Sequence, residues 1–134
     1  MVIAVLGLAV LALYPSGCQK GGSATTLKDR AAKYWELKQA KGWEEVYDQY
    51  LDPTVRSQLT KQAFLKRRRL AFDILSYEIS EVLETGDAAT VAVTNEANFP
   101  IKAPTGELQL IKKRITTTDQ WVRRDGVWYV ELSQ

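Results

Sequence analysis

Hydrophobic and polar residues follow two different periods along the chain, and the period changes near Asp73. Between residue 27 and that point, apolar residues recur at steps of three and four, which is typical of one face of an α-helix. After it, β-branched and aromatic residues recur at about every second position, which is typical of one face of a strand. The pattern therefore predicts helices first and an antiparallel sheet afterwards.

Three helical segments are predicted before the change of period. The first begins at a cap on Thr25 or Thr26 and ends at Gly42, which we expect in a left-handed conformation. The second starts at Trp43. Asp52-Pro53, which we interpret as an N-cap followed by proline at the first helical position, then opens a short turn. Thr60 can cap the third helix, 61–70. The inward residues of the first two segments are Leu27, Ala31, Tyr34, Trp35, Lys38, Trp43, Val46, Tyr47, Tyr50 and Leu51.

Turn-forming residues divide the second part of the chain into strands. Gly86-Asp87 suits a tight hairpin, and Asp125-Gly126 is the strongest hairpin signal in the chain. Two prolines predict a loop or a strand interruption over 98–106, because proline has no N–H to donate to a ladder. The alternation over 108–123 predicts a long strand, paired with a last strand over 127–132.

The Asp125-Gly126 turn fixes the register of the last hairpin. With these two residues in the turn, Val122 opposes Tyr129 and Trp121 opposes Val130. We expect the more apolar face to pack against the helices, with Arg123 over the ring of Trp128. This face carries Ile115, Thr117, Asp119, Trp121, Arg123, Trp128, Val130 and Leu132.

Helices followed by antiparallel strands predict an α+β fold. The helical sequences 32–37 and 42–47 and the closing hairpin 121–129 resemble those of the nuclear transport factor two-like, cystatin-like superfamily, over roughly residues 27–134. The resemblance implies a cone, in which the N-terminal helices pack in the concave face of a curved sheet. It also implies that the open end can hold a small ligand and that the outer sheet face can form a homodimer. Because no catalytic motif accompanies it, the resemblance supports the fold more than an activity.

The apolar run from Val2 to Tyr14 ends just before Ser16-Gly17 and Cys18, the only cysteine of the chain. A lone thiol cannot form an internal disulfide, and its position points to lipid attachment. Residues 1–18 resemble a bacterial lipoprotein signal, in which a peptidase cuts before the cysteine that becomes lipidated. No Lys or Arg precedes the apolar run, so we expect the natural start to lie further upstream.

This second resemblance implies a signal peptide over 1–17, a lipidated Cys18 and a flexible Gly- and Ser-containing tether over 18–26. The membrane is then a partner through the lipid, and Gln19 favours the outer over the inner membrane. The apolar stretch of about 13 residues is short of the roughly 20 that cross a bilayer. A retained anchor helix with an incidental cysteine is the alternative.

Composition excludes several classes of function. The formal net charge of +2 is too small to indicate a nucleic-acid partner. The chain has no histidine, which excludes Ser-His-Asp and Cys-His nucleophiles, a His-ligated zinc and a His general base. We therefore expect no metal and no cofactor, and a non-catalytic role more than an enzymatic one.

The candidate ligand-binding residues are aromatic or acidic side chains on predicted inward positions. Periodicity also explains the aromatic ones as core, which we expect more than a ligand cage. Tyr34 and Asp119, with Asp73, are the materials for a carboxylate-and-tyrosine isomerase or dehydratase. Asp119 has a simpler interpretation as a rim carboxylate paired with Arg123. The candidates are Tyr34, Trp35, Tyr47, Asp119, Trp121 and Trp128.

Four consecutive bases, Lys66, Arg67, Arg68 and Arg69, end the third predicted helix. We expect them in water, where they complement the helix dipole, although on a tethered domain they can also face acidic lipid head groups. Taken together, the sequence predicts a lipid-anchored envelope module that binds a small apolar ligand, another envelope protein or a second copy. The alternatives are the isomerase or dehydratase and a permanent accessory subunit of a larger envelope complex.

Overall fold

In a computed structural model, residues 25–68 and 72–132 are described. The predicted signal peptide, Cys18, most of the tether and Arg69 lie outside these residues. Among the helices of the described part, none has the length and apolar character needed to span a membrane.

The helices of the first part are α1 (Leu27–Gln39), α2 (Trp43–Glu45), a π-helical turn (Val46–Tyr50), α3 (Pro53–Arg56) and α4 (Lys61–Arg68). All three predicted caps are confirmed, because side chains of Thr26, Asp52 and Thr60 each accept a backbone N–H at 3.2 Å in the turn that follows. Each cap pairs one of the N–H groups that a helix start leaves free.

The predicted left-handed conformation of Gly42 is wrong. Lys41 adopts it instead, with φ of 59°, and Gly42 has φ of −76°. The N–H of Gly42 bonds the carbonyl of Leu37 at 2.8 Å, which closes a Schellman motif one residue earlier than expected. A Cβ on Gly42 would lie 3.0 Å from Cδ2 of Leu37, so a larger residue here requires that side chain to shift by a few tenths of an ångström.

Four antiparallel strands follow in the spatial order β1-β2-β3-β4. They are β1 (Asp73–Thr85), β2 (Ala88–Lys102), β3 (Leu108–Arg124) and β4 (Val127–Glu131). The predicted register of the last hairpin is confirmed. Its turn residues, Asp125 and Gly126, have φ of 51° and 77°, as a type I′ turn requires.

The predicted interruption at Pro100 is wrong, because β2 continues through it to Lys102 with Pro100 opposite Leu110. β1 pairs with β2 only as far as Asn98, so beyond that point β2 has a neighbour on one side alone. Such an edge position tolerates a missing N–H. The loop is confined to the residues between β2 and β3, where Gly106 takes φ of 88°.

The helices pack on one face of the sheet, and the predicted α+β fold with helices in a curved antiparallel sheet is confirmed. Two register shifts in β1 are the kind of irregularity that bends a strand and increases its twist. The core lies between α1, the π-helical turn and the odd-numbered residues of β2 and β3. Its members are Leu27, Ala31, Tyr34, Trp35, Val46, Tyr50, Leu51, Phe64, Ala89, Val91, Val93, Trp121, Trp128 and Val130.

Polar contacts attach the helical layer to the last strand. Nε of Arg30 donates to the carbonyl of Trp128 at 2.9 Å, and its Nη2 donates to the carbonyl of Gln49 at 2.6 Å. The N–H of Asp52 bonds the carbonyl of Val130 at 3.0 Å. These contacts hold β4 from the helical side at one end of the sheet, whereas the opposite end, near Phe72 and Phe99, is less covered, since Phe72 is 48% exposed.

Candidate functional site

A cavity of about 200 Å³ lies at that less covered end, between the helices and the inner face of the sheet. Trp35 and Lys38 reach it from α1, Trp43 from the start of α2 and Arg68 from the end of α4. The strands contribute alternate residues, because successive side chains of a strand point to opposite faces. These are Ile74 of β1, Asn95, Ala97 and Phe99 of β2, and Ile115 and Thr117 of β3, with Phe72 just before β1.

Most of the cavity wall is apolar and aromatic. The rings of Phe72 and Phe99 are tilted by 43° with centroids 4.1 Å apart at the mouth. Phe72 is 48% exposed and Phe99 is partly buried. A partly exposed aromatic pair beside a concave apolar surface is typical of a binding-site entrance.

Lys38 brings a positive charge to this wall. Its Nζ lies 3.7 Å from the centroid of the Trp35 ring and 5.1 Å from that of Tyr34, which is within cation–π range. Burial lowers the pKa of Lys38 to about 8, and the positive charge of Arg68 acts in the same direction, while Asp119 opposes it. The ammonium is thus held in an environment that disfavours its charge.

Arg68 brings a second positive charge. Its guanidinium carbon lies 5.4 Å from the ring of Trp43 and 5.3 Å from that of Phe64. Its buried Nε has no hydrogen-bond partner among the described residues. The expectation that this residue sits in water is therefore wrong for Arg68, whereas Lys66 and Arg67 are exposed as expected.

Neutral polar groups complete the wall. Asn95 is buried on the inner face of β2, and its Nδ2 donates to Oγ1 of Thr117 on β3 at 3.3 Å. Within residues 25–68 and 72–132, no cluster of three acidic residues has the geometry of a metal site.

Asp119 lies beneath this wall and contacts it through Trp35. Nε1 of Trp35 donates to Oδ2 of Asp119 at 2.7 Å, and the carboxylate is 7% exposed. Burial raises its pKa, against the opposing effects of Lys38 and of the Trp35 hydrogen bond. The predicted pairing with Arg123 is wrong, since Nε of Arg123 donates to Asp87 at 3.0 Å instead.

The six candidate residues do not form one site. Trp35 lines the cavity, and Asp119 supports it from behind. Tyr34 and Trp121 pack edge to face at 5.5 Å in the core, and Trp128 is also buried there, beneath Arg123 at 5.1 Å as expected. Tyr47 does not line the cavity. Its ring packs against Phe64 at 5.5 Å, and its hydroxyl donates to the carbonyl of Leu59 at 2.6 Å.

Sequence reasoning missed most of the cavity, although two signals were present. Lys38 is the one charged member of the inward stripe of α1, and Asn95 falls between Val93 and Ala97 on the inner face of β2. A polar side chain at an inward position is informative because burying it costs free energy unless something pairs it. Phe72 and Phe99 gave no such signal, since their meeting depends on the pairing of β1 with β2.

Solved structures with a similar fold cover most of the chain. A SEC-C motif containing protein from Rhodopseudomonas palustris matches 86% of this chain and 82% of its own, at 16% identity and a TM-score of 0.55. The intermembrane space region of the chloroplast protein ARC6 matches 81% of this chain and 92% of its own, at 15% identity and a TM-score of 0.53. These similarities show the fold. At such identities they show nothing further.

A protein of the NTF2-like family from Streptomyces avermitilis matches 75% of this chain and 86% of its own, at 15% identity and a TM-score of 0.47. That score is too low to carry an argument. Membership of the nuclear transport factor two-like superfamily stays a prediction. No protein-family model matches the chain, and neither does any curated protein.

Proposed function

We propose that this chain is a non-catalytic binding or assembly module, anchored by lipid in the bacterial cell envelope, that holds a small ligand in the cavity. The observation that carries the proposal is the cavity itself, whose apolar wall ends in the partly exposed pair of Phe72 and Phe99. Its volume of about 200 Å³ is below the roughly 300 Å³ at which drug-sized pockets begin. The ligand is accordingly small, or enters with only part of its length.

The enzymatic alternative depends on Tyr34 and Asp119 meeting in a pocket. Neither residue is among those that line the cavity, and the Asp119 carboxylate is bonded to Trp35. A general acid or base must come within hydrogen-bond reach of the substrate. The isomerase or dehydratase hypothesis therefore loses the convergence on which it depended.

Lipid anchoring is supported by Cys18 at the end of the apolar run. Intact mass of the chain extracted from bacterial membranes tests it, with Cys18→Ser as the control. Cleavage before Cys18 and acylation change the mass in opposite, calculable directions, and only the wild type should show both. An uncleaved, unacylated chain in the membrane fraction would instead support the permanent accessory subunit with a retained anchor.

Assembly is supported by apolar residues on the outer face, the sheet face that points away from the helices. Leu108 and Leu110, at the start of β3, are 76% and 66% exposed there. We assign this face to a second copy of the chain, as in the predicted homodimer. Analytical ultracentrifugation should show a dimer that Leu110→Glu dissociates, with Glu107→Gln as a surface control. A monomer at all concentrations would contradict self-association and leave another envelope protein as the partner.

A further inference from the structure

The cavity wall carries unbalanced positive charge. Lys38 and Arg68 both line it, and no Asp or Glu is among the described residues that do so. Asp119, whose Oδ2 accepts from Nε1 of Trp35 at 2.7 Å, acts on Lys38 without lining the cavity, and its single negative charge offsets only one of the two positive charges. Two like charges that approach the same concave surface without a carboxylate between them repel each other. An anion placed between them would remove that repulsion.

Arg68 adds a geometric reason to expect an anion. Its buried Nε has no hydrogen-bond partner among the described residues, although buried polar groups are nearly always paired. Its guanidinium is held in place by Trp43 and Phe64. Because Nε is not solvent-accessible, a ligand meets the guanidinium through its outer Nη groups. An incoming carboxylate would pair with them, since the guanidinium is a planar, always charged donor that suits carboxylate geometry.

The rest of the wall requires an apolar body on the same ligand. Trp35, Ile74, Ala97, Phe99 and Ile115 surround the space below the two cations, and Asn95 and Thr117 largely satisfy each other there. A fully hydrated inorganic anion would leave this apolar surface uncovered. An uncharged apolar ligand would cover both cations and supply no negative charge from the cavity side, which costs free energy.

Given the proposed function of the cavity as a ligand site, we infer that it selects a small amphipathic monoanion, an apolar carboxylic acid in its ionised form. The carboxylate lies between Lys38 and Arg68, and the apolar part lies along the aromatic residues of the sheet side. The selectivity comes from the two cations, while the aromatic and aliphatic wall supplies affinity that does not depend on charge.

The test compares octanoate with 1-octanol, which share an apolar chain and differ in charge. The full chain is reconstituted in nanodiscs of zwitterionic lipid, and binding is followed by isothermal titration with empty nanodiscs as the blank. We expect octanoate to bind at least about tenfold more tightly than 1-octanol, equivalent to about 1.4 kcal/mol. Lys38→Met and Arg68→Met should each remove most of this preference without weakening 1-octanol.

Lys66→Met is the matched control. Lys66 is an exposed base of α4, the helix that carries Arg68, and Lys66 does not line the cavity. It should leave both affinities unchanged. Equal binding of the two probes, or an effect of Lys66→Met as large as that of Lys38→Met, would overturn the selection of an anion while the cavity remains a ligand site. Failure of both probes to bind would overturn the proposed ligand-binding function itself. Circular dichroism establishes that each variant is folded. If one of Lys38→Met and Arg68→Met does not fold, the other alone is enough for the test.

Discussion

Lys38 illustrates how one residue can favour function over stability. It occupies a position of α1 where the periodicity calls for an apolar side chain, and burial lowers its pKa to about 8. The folded state therefore disfavours the charge that the proposed ligand needs. Proteins commonly keep such destabilising groups at functional sites.

We predict that Lys38→Met stabilises the ligand-free protein by about 1 kcal/mol at pH 7. Each unit by which the pKa of Lys38 is lowered costs the folded state about 1.4 kcal/mol. The loss of the cation–π contact offsets part of the stability that the variant gains. Between pH 8 and 10.5 the unfolded chain binds the Lys38 proton and the folded chain does not, so wild-type stability rises with pH there. Arg68, Asp119 and Tyr34 face this ammonium, and burial keeps Tyr34 neutral. Urea unfolding from pH 7 to 9.5 measures the difference between the proteins, and a constant difference would contradict the account.

Asp119 is a second single residue on which the stability of the fold depends, because its carboxylate accepts the hydrogen bond of the buried Trp35 indole. We predict that Asp119→Ala destabilises the protein by about 2 kcal/mol, since it leaves a buried N–H without an acceptor. Asp119→Asn keeps an acceptor oxygen and removes a carboxylate that burial already disfavours, so its cost should be less than half as large. Chemical denaturation of both variants checks the ratio. Equal costs would mean that the charge of Asp119, and not its acceptor, is what the fold needs.

At the scale of elements, Asp52 joins α3 to the last hairpin. Its carboxylate caps α3 through Thr54 and accepts from Nε and Nη2 of Arg124 at 2.7 and 3.1 Å. The Arg124 hydrogen bond is the main reason that the pKa of Asp52 lies below its ordinary value. One side chain thus serves a helix start and a strand contact.

We predict that Asp52→Ala costs about 2–3 kcal/mol, combining the loss of a cap with that of a charged hydrogen bond. Because the folded-state pKa of Asp52 is lowered, its contribution is present above about pH 4 and is lost as pH falls through the lowered value. Asp52→Asn keeps the cap, so it should cost about half as much and show less loss of stability in acid. Thermal unfolding at pH 7 and pH 3 distinguishes the variants, and identical acid sensitivity of all three proteins would contradict this role.

The turn of the last hairpin gives a second test at this scale. Gly126 has φ of 77° and open space around its α-carbon, so a Cβ there meets backbone strain and no clash. We predict that Gly126→Ala costs about 1 kcal/mol. Asp125→Gly in the same turn, where φ is 51°, should be neutral or stabilising. Denaturant midpoints compare the two, and a neutral Gly126→Ala would show that the hairpin does not need the type I′ turn.

At the scale of the whole molecule, local rules predicted the elements and the final register, because caps, turn residues and periodicity act within a few residues. One local prediction was wrong by a single residue, since Lys41 and not Gly42 is left-handed. The other failures came where the outcome depended on a neighbour in space. Pro100 stays in β2 because the pairing of β1 with β2 stops at Asn98. Arg68 turns inward because the rings of Trp43 and Phe64 offer it a surface. The cavity belongs to this second class, since its wall is assembled from three helices and three strands.

The central claim is that the space between α1, the end of α4 and the sheet is a ligand site. The four tryptophans provide an internal comparison, because Trp35 and Trp43 line the cavity while Trp121 and Trp128 are in the core away from it. Indole N–H resonances of the full chain, followed by NMR during titration with octanoate, test the claim most directly. The account predicts saturable shifts at Trp35 and Trp43 and little change at Trp121 and Trp128. Saturable shifts confined to Trp121 and Trp128, or no shift at any indole, would contradict it.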